Sequence, residues 1–156
     1  MDTMQLLTLL NEHNVNYVII GAAAFPAHGF SRTTNDIDIL IEPTKENVER
    51  TIKALEAFGY DLMDTTPEEM LEKKILFRQY VVEADIHPSA SGVEFKDVWK
   101  NKVREKLFGV STNFASLNDL IKMKRAAGRP KDLEDLKYLL QIRKILREKK
   151  RKKKKR

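Results

Sequence analysis

Three aspartates stand on strand-like stretches that otherwise build a core. Asp36 and Asp38 lie in Thr33-Thr34-Asn35-Asp36-Ile37-Asp38-Ile39-Leu40-Ile41, and Asp85 lies in Val81-Val82-Glu83-Ala84-Asp85-Ile86-His87. Along a strand, residues i and i+2 share a face. Asp36 and Asp38 therefore project together, while Ile37, Ile39 and Ile41 face the other way. At ~4 Å and an effective dielectric of ~20, two such carboxylates repel by on the order of 4 kcal/mol. A divalent cation removes that penalty, and hard oxygen ligands suit Mg²⁺ or Mn²⁺. Asp85 sits between Ala84 and Ile86, again a carboxylate on an apolar strand. If the two strands are neighbours, three carboxylates converge, as one- or two-metal phosphoryl and nucleotidyl transfer requires. Taken singly, each has a plainer reading: D-x-D as a solvated strand end, Asp85 as an edge-strand acid.

The elements that must hold these residues follow from pattern and punctuation. Asp2 to Glu12 carries an apolar helical face, and Tyr17-Val18-Ile19-Ile20 is a continuous apolar run that reads as a buried strand. Gly21 ends it. The small-residue stretch from Ala22 to His28 predicts a short helix despite Pro26, whose N-terminal N–H groups could face phosphate oxygens. A strand follows from Asp36 to Ile41. Thr44 caps a helix that Gly59 ends, and Thr66-Pro67-Glu68-Glu69 opens another. Ile75 to Tyr80 and Val81 to His87 read as a hairpin or one bent strand, and Val103 to Val110 as a further strand. Phe95 and Trp99, spaced i and i+4, are expected to bury against the sheet. Ser116 caps a helix that Gly128 ends, and Pro130 opens the last one. The order predicts an α+β fold, a mixed sheet flanked by helices with a helical C-terminal section. The expected division is a core over 1–112, a helical section over 113–146 and a tail over 147–156.

Charge is concentrated at the end of the chain. Of 29 Lys and Arg against 23 Asp and Glu, the final ten residues, REKKRKKKKR, hold nine basic residues and one acid. The rest is near neutral. Self-repulsion predicts a disordered tail. It reads either as a solvated solubility tail or as an RNA contact working through counterion release. The chain has no cysteine, which excludes thiolate zinc sites and disulfides. No apolar run reaches the ~20 residues of a membrane span. The first residues lack a signal peptide's basic start, so a cytoplasmic protein without a membrane partner is expected.

Gly21-Ala22, Asp36-Ile37-Asp38 and Asp85 together resemble the nucleotidyltransferase superfamily that includes DNA polymerase beta and the kanamycin nucleotidyltransferases. That family places Gly-Gly or Gly-Ser at the end of a strand, D-x-D ten to fifteen residues later, and a third Asp on a later strand. The stretch IGAAAFPAHGFSRTTNDIDI over residues 20–39, with Lys122-Met123-Lys124 and Gly128-Arg129-Pro130-Lys131-Asp132-Leu133-Glu134-Asp135-Leu136, is similar to AbiEii-type toxin-like members. The likeness spans most of residues 15–140. It departs at Ala22, which keeps the turn compact but lacks a hydroxyl.

The resemblance implies a nucleotidyltransferase fold and transfer of a nucleoside monophosphate from an NTP to a hydroxyl acceptor, with Mg²⁺ or Mn²⁺ as cofactor. Asp36 and Asp38 would ligate the metal. Asp85 would complete the site and take the acceptor proton. Gly21 and Ala22 would contact phosphates; Arg32 is a phosphate or structural ligand, and Lys131 with Asp132 would lie near the site. RNA, a protein side chain and a small hydroxylated molecule all remain open as acceptor. The alternative is a non-catalytic nucleotide-binding or toxin–antitoxin-type interaction module on the same fold. His28 and His87 are expected to be structural, and Lys122 and Lys124 to be exposed helix residues.

Overall fold

β1 (Tyr17–Ile20) is buried at all four residues, as its unbroken apolar run requires. In the computed structural model, which describes residues 2–30, 34, 36–78 and 82–155, it lies inside a mixed sheet. Among the described residues six strands pair in the order β3-β4-β2-β1-β6-β5. The others are β2 (Asp36–Ile41), β3 (Ile75–Phe77), β4 (Glu83–His87), β5 (Val103–Leu107) and β6 (Val110–Phe114). β1 pairs antiparallel with β2 and parallel with β6. β2 pairs parallel with β4, and β3 closes that edge antiparallel to β4. The β3–β4 stretch is thus a hairpin, with Gln79, Tyr80 and Val81 outside the described residues.

The helices cover the sheet. α1 (Thr3–Glu12) starts at a capping box in which Asp2 accepts from the Gln5 amide and the Gln5 side chain accepts from Asp2. It buries Leu6, Leu7 and Leu10. α2 (Lys45–Phe58) is capped by Thr44 and ends at Gly59, φ 108°. Buried Asn47 ties it to the sheet: Oδ1 accepts from the Asn16 amide at 2.7 Å, and Nδ2 donates to the carbonyls of Asn16 and Glu42. α3 (Pro67–Glu72) is short, capped by Thr66. α5 (Leu117–Ala127) starts at Ser116, whose Oγ accepts from Asp119 N, and ends at Gly128, φ 66°. Among the described residues no helix is long and apolar enough to cross a membrane.

Two elements went unread in the sequence. α4 (Phe95–Asn101) forms around the stacked pair Phe95–Trp99, both partly buried. The stretch taken as one strand from Val103 to Val110 is the first arm of a hairpin whose second arm is β6. Phe108 and Gly109 make its two-residue turn, both at positive φ. α6 (Pro130–Lys154) runs into the basic segment expected as a tail over 147–156. Lys and Arg are good helix formers, and cations in the last turn complement the helix dipole, which offsets their mutual repulsion.

Candidate active site

The parallel register of β2 against β4 sets Asp36 beside Glu83, Asp38 beside Asp85 and Leu40 beside His87. Paired residues of neighbouring strands share a face. One face at this end of the sheet therefore carries a double row of polar groups, while Ile37, Ile39, Ala84 and Ile86 fill the core on the other. Asp38 and Asp85 come together in this way. With His87 they offer one ligand atom each, all within 4.8 Å of one another.

Each of the three is already engaged. His87 Nε2 lies 2.8 Å from Asp38 Oδ1, so the histidine expected to be structural stands beside the aspartate pair. Its ring reaches Asp38 because i+2 from Asp85 returns it to the same face. Burial pushes the Asp38 carboxyl up. The hydrogen bond and charge of His87, with Lys74 and Lys124 farther off, outweigh that and hold it below the usual carboxylate range. Asp85, 8% exposed, receives Arg78 NH1 on Oδ1 at 2.5 Å. Arg78 also stands 3.4 Å from Glu83.

Asp36 is exposed and lies one pleat outward from Asp38. Its amide donates to Thr34 Oγ1. Its carboxyl shares a proton-mediated contact with Glu83, which raises the Glu83 carboxyl above its ordinary value. Asp36 is not among the three groups that lie within 4.8 Å.

Gly21 follows the last residue of β1, Ile20, which pairs with Asp38. It has φ 68° and opens a 3-10 helix over Gly21–His28, in which Ala22 is the half-buried second residue. Arg32 lies outside the described residues, together with Ser31, Thr33 and Asn35. His28, expected to cap or pack, places Nε2 2.8 Å from the Ala115 carbonyl and so ties this helix to β6.

The α5–α6 turn supplies the cations. Gly128 ends α5 and Pro130 opens α6, so Arg129 sits between two helices. Asp132, 1% exposed, accepts from Arg129 N at 3.2 Å and from Arg129 Nε at 2.6 Å. Lys124 was expected on an exposed face. It is instead mostly covered, with Nζ 3.3 Å from Asp132 and 3.1 Å from Asp135. An i+8 pairing across a helix junction has no local signature, whereas the i,i+3 bond of Asp132 to Arg129 does. Lys131 is exposed in the first turn of α6. The Arg129 hydrogen bond, with Lys124 beyond it, holds the Asp132 carboxyl below its usual range.

Two carboxylates and an imidazole form a donor set of the size one divalent cation needs. Its carboxylate oxygens suit Mg²⁺ or Mn²⁺. The Asp38 side chain lies directly against Gly21, where a Cβ would stand 2.6 Å from Oδ2.

Fold and site define a class, the nucleotidyltransferases, which are transferases of phosphorus-containing groups. The chain belongs to the family described as nucleotidyltransferase of unknown function (DUF6036), whose model matches residues 1–148. No curated protein matches it significantly. Among solved structures, the lincosamide antibiotic adenylyltransferase LnuA with lincomycin bound superposes at a TM-score of 0.60 and 17% identity, covering 91% of this chain and 98% of that one. The antibiotic-resistance factor ANT(2'')-Ia in solution gives 0.62 and 18%, covering 96% and 89%. Its complex with adenylyl-2''-tobramycin gives 0.60 and 18%, covering 93% and 94%. At these identities the likeness is one of fold.

Proposed function

We propose that this protein transfers a nucleoside monophosphate from an NTP to a hydroxyl acceptor, with Mg²⁺ or Mn²⁺ as cofactor and pyrophosphate as leaving group. The observation that carries the reading is the side-by-side placement of Asp38 and Asp85 on parallel strands, facing the side-chain-free Gly21. A bound cation would neutralise triphosphate charge and polarise the α-phosphate. Asp38 and Asp85 would hold it, with Asp36 joining from the rim and His87 orienting Asp38. The backbone of Gly21 and Ala22 would face the phosphates. Arg129, Lys131 and Arg32 are the proposed sources of positive charge around them.

In the transfer, the acceptor oxygen bonds to the α-phosphorus. The bond from that phosphorus to the bridging oxygen breaks, and the electron pair leaves with pyrophosphate. The acceptor proton passes to Asp85, whose carboxylate Arg78 orients. Positioned proton transfer of this kind is worth ~10²–10⁴-fold. The neighbours in fold include an adenylyltransferase of lincosamide antibiotics and a protein complexed with adenylyl-2''-tobramycin, which supports hydroxyl acceptors as the class.

A second reading has its own observation. Arg78 on Asp85 and His87 on Asp38 already answer the two carboxylates without a metal, as a non-catalytic interaction module would need. Incubation with each α-labelled NTP, Mg²⁺ or Mn²⁺, and a panel of antibiotics, RNA and protein separates the two. Label transfer that disappears in Asp38→Asn supports the enzyme. Tight metal–NTP binding with no transfer to any acceptor supports the module.

A further inference from the structure

α6 becomes a charged arm over its second half. Its buried residues are Asp132, Asp135 and Leu139, and beyond them Arg143 still donates to Asn118 of α5. From Lys137 to Lys155 it carries eleven Lys or Arg against one acid, Glu148. Residues 1–146 hold 20 basic and 22 acidic residues, so the chain's excess positive charge lies in the last ten.

The arm is physically joined to the site. Asp132 and Asp135 on its first turns hold Lys124. Tyr138 follows Asp135 by three residues, about 4.5 Å along the axis. The Tyr138 ring is 45% exposed and lies 5.3 Å from that of Phe30, which in turn contacts buried Phe25 at 5.4 Å. Tyr138 thus has one side fixed by aromatic packing and the other open. It stands on the surface of α6 beside Glu134, Lys137, Leu140, Gln141 and Lys144. Further along the same helix come Arg143, Arg147, Glu148 and Arg151.

We infer that the acceptor is an RNA strand, whose phosphates run along α6 from Lys155 to Lys137 and whose terminal bases stack at Tyr138. The inference rests on the transferase reading above and names its acceptor. An aromatic platform followed by a cationic track is the arrangement that binds single strands: stacking holds bases of any identity, and Lys and Arg hold the backbone. Residues 147–155 contain no apolar side chain, so the basic end of the arm, beyond the exposed Ile145 and Leu146, lacks the apolar face of a helix that lies on a membrane. An acidic protein would satisfy the charges but leave Tyr138 unused. Free ends with splayed, unstacked bases are a property of RNA more than of duplex DNA. In the transfer the terminal ribose hydroxyl oxygen bonds to the α-phosphorus, pyrophosphate departs with the electron pair of the broken bond, and the proton passes to Asp85.

The test uses the full chain and a fluorescent oligouridylate, first without nucleotide or metal. Affinity should fall steeply with salt. Replacing Lys152, Lys153, Lys154 and Lys155 together by Gln should reduce the log–log salt slope by about 3, at ~0.7 per phosphate contact on a single strand. Tyr138→Ala should weaken binding roughly 5- to 150-fold, the value of one stacked base, while Tyr138→Phe should retain it. With α-labelled NTP and Mg²⁺, the oligonucleotide should become labelled, less so in the lysine variant and not in Asp38→Asn. Label transfer to a small hydroxyl acceptor that the lysine and Tyr138 changes leave untouched, without RNA affinity, would overturn the RNA acceptor and leave the transferase standing. RNA bound along α6 but never labelled, while another acceptor is, would also overturn it. So would preference for the matching DNA strand, an acidic protein or anionic vesicles. Absence of transfer to every acceptor would instead count against the transferase reading itself.

Discussion

A Cβ atom built on Gly21 would stand 2.6 Å from Oδ2 of Asp38. The glycine is fixed twice, by its positive φ of 68° and by this approach. Gly21→Ala should therefore cost about 1–2 kcal/mol of stability from left-handed backbone strain. Displacement of Asp38 should weaken metal-dependent NTP binding by about tenfold or more, the scale seen when a metal ligand loses its support. Chemical denaturation reads the first effect and calorimetry the second. Unchanged binding would mean that Asp38 does not face the nucleotide.

On the proposed reading, a divalent cation would compete with Arg78 for Asp85. Arg78 is 40% exposed at its side chain, so its pair with Asp85 is worth on the order of 1 kcal/mol. Arg78→Gln should tighten binding of Mn²⁺ alone by about fivefold in an EPR titration. It should slow transfer if Arg78 orients Asp85. Weaker Mn²⁺ binding would show that Arg78 supports the cation site instead.

The Asp132 carboxylate makes the α5–α6 turn sensitive to acid. Arg129 and Lys124 hold its folded-state pKa below the unfolded value. Its stabilisation is thus fully present above the ordinary aspartate pKa near ~4 and is lost as pH falls through the lower folded value. Asp132→Asn, which leaves Lys124 with one fewer carboxylate in a covered position, should cost about 2–4 kcal/mol at neutral pH. Thermal melts of variant and wild type should converge as pH drops below ~4. A constant gap down to pH ~2 would place the contribution elsewhere.

Phe108 occupies the first turn position of the β5–β6 hairpin at φ 50° and is 66% exposed. Asn tolerates that backbone and Phe does not. Phe108→Asn should add about 0.5–1 kcal/mol of stability, read by denaturant midpoint. A loss would mean that the exposed ring has a packing partner beyond this chain.

That same turn shows where the sequence stops being readable. Asn-Gly would have announced the hairpin; Phe-Gly does not, so β6 went unseen and Val103 to Val110 passed for one strand. Local signals worked where the physics is local. Thr44, Ser116 and Gly128 marked helix ends because capping is decided within four residues. The alternation of Asp36 and Asp38 with Ile37, Ile39 and Ile41 gave the polar face of β2. Long-range pairing left no such trace. Nothing near Asp85 states that β4 lies parallel to β2 in the register that sets it beside Asp38. His87 and Arg78 stand beside the two aspartates only through that register. Lys124 looked like a surface lysine because its partners, Asp132 and Asp135, follow a helix break. The helical continuation of α6 through Lys154 sets intrinsic propensity against repulsion, a balance that charge counting alone does not weigh.

The central claim is that Asp38 and Asp85 form one metal–nucleotide site. Calorimetric titration of NTP in saturating Mg²⁺ into wild type and into the Asp38→Asn/Asp85→Asn double variant tests it most directly. Metal-dependent binding to the wild type and none to a folded double variant is the expected result. Equal Mg·NTP affinity in the two proteins would contradict it.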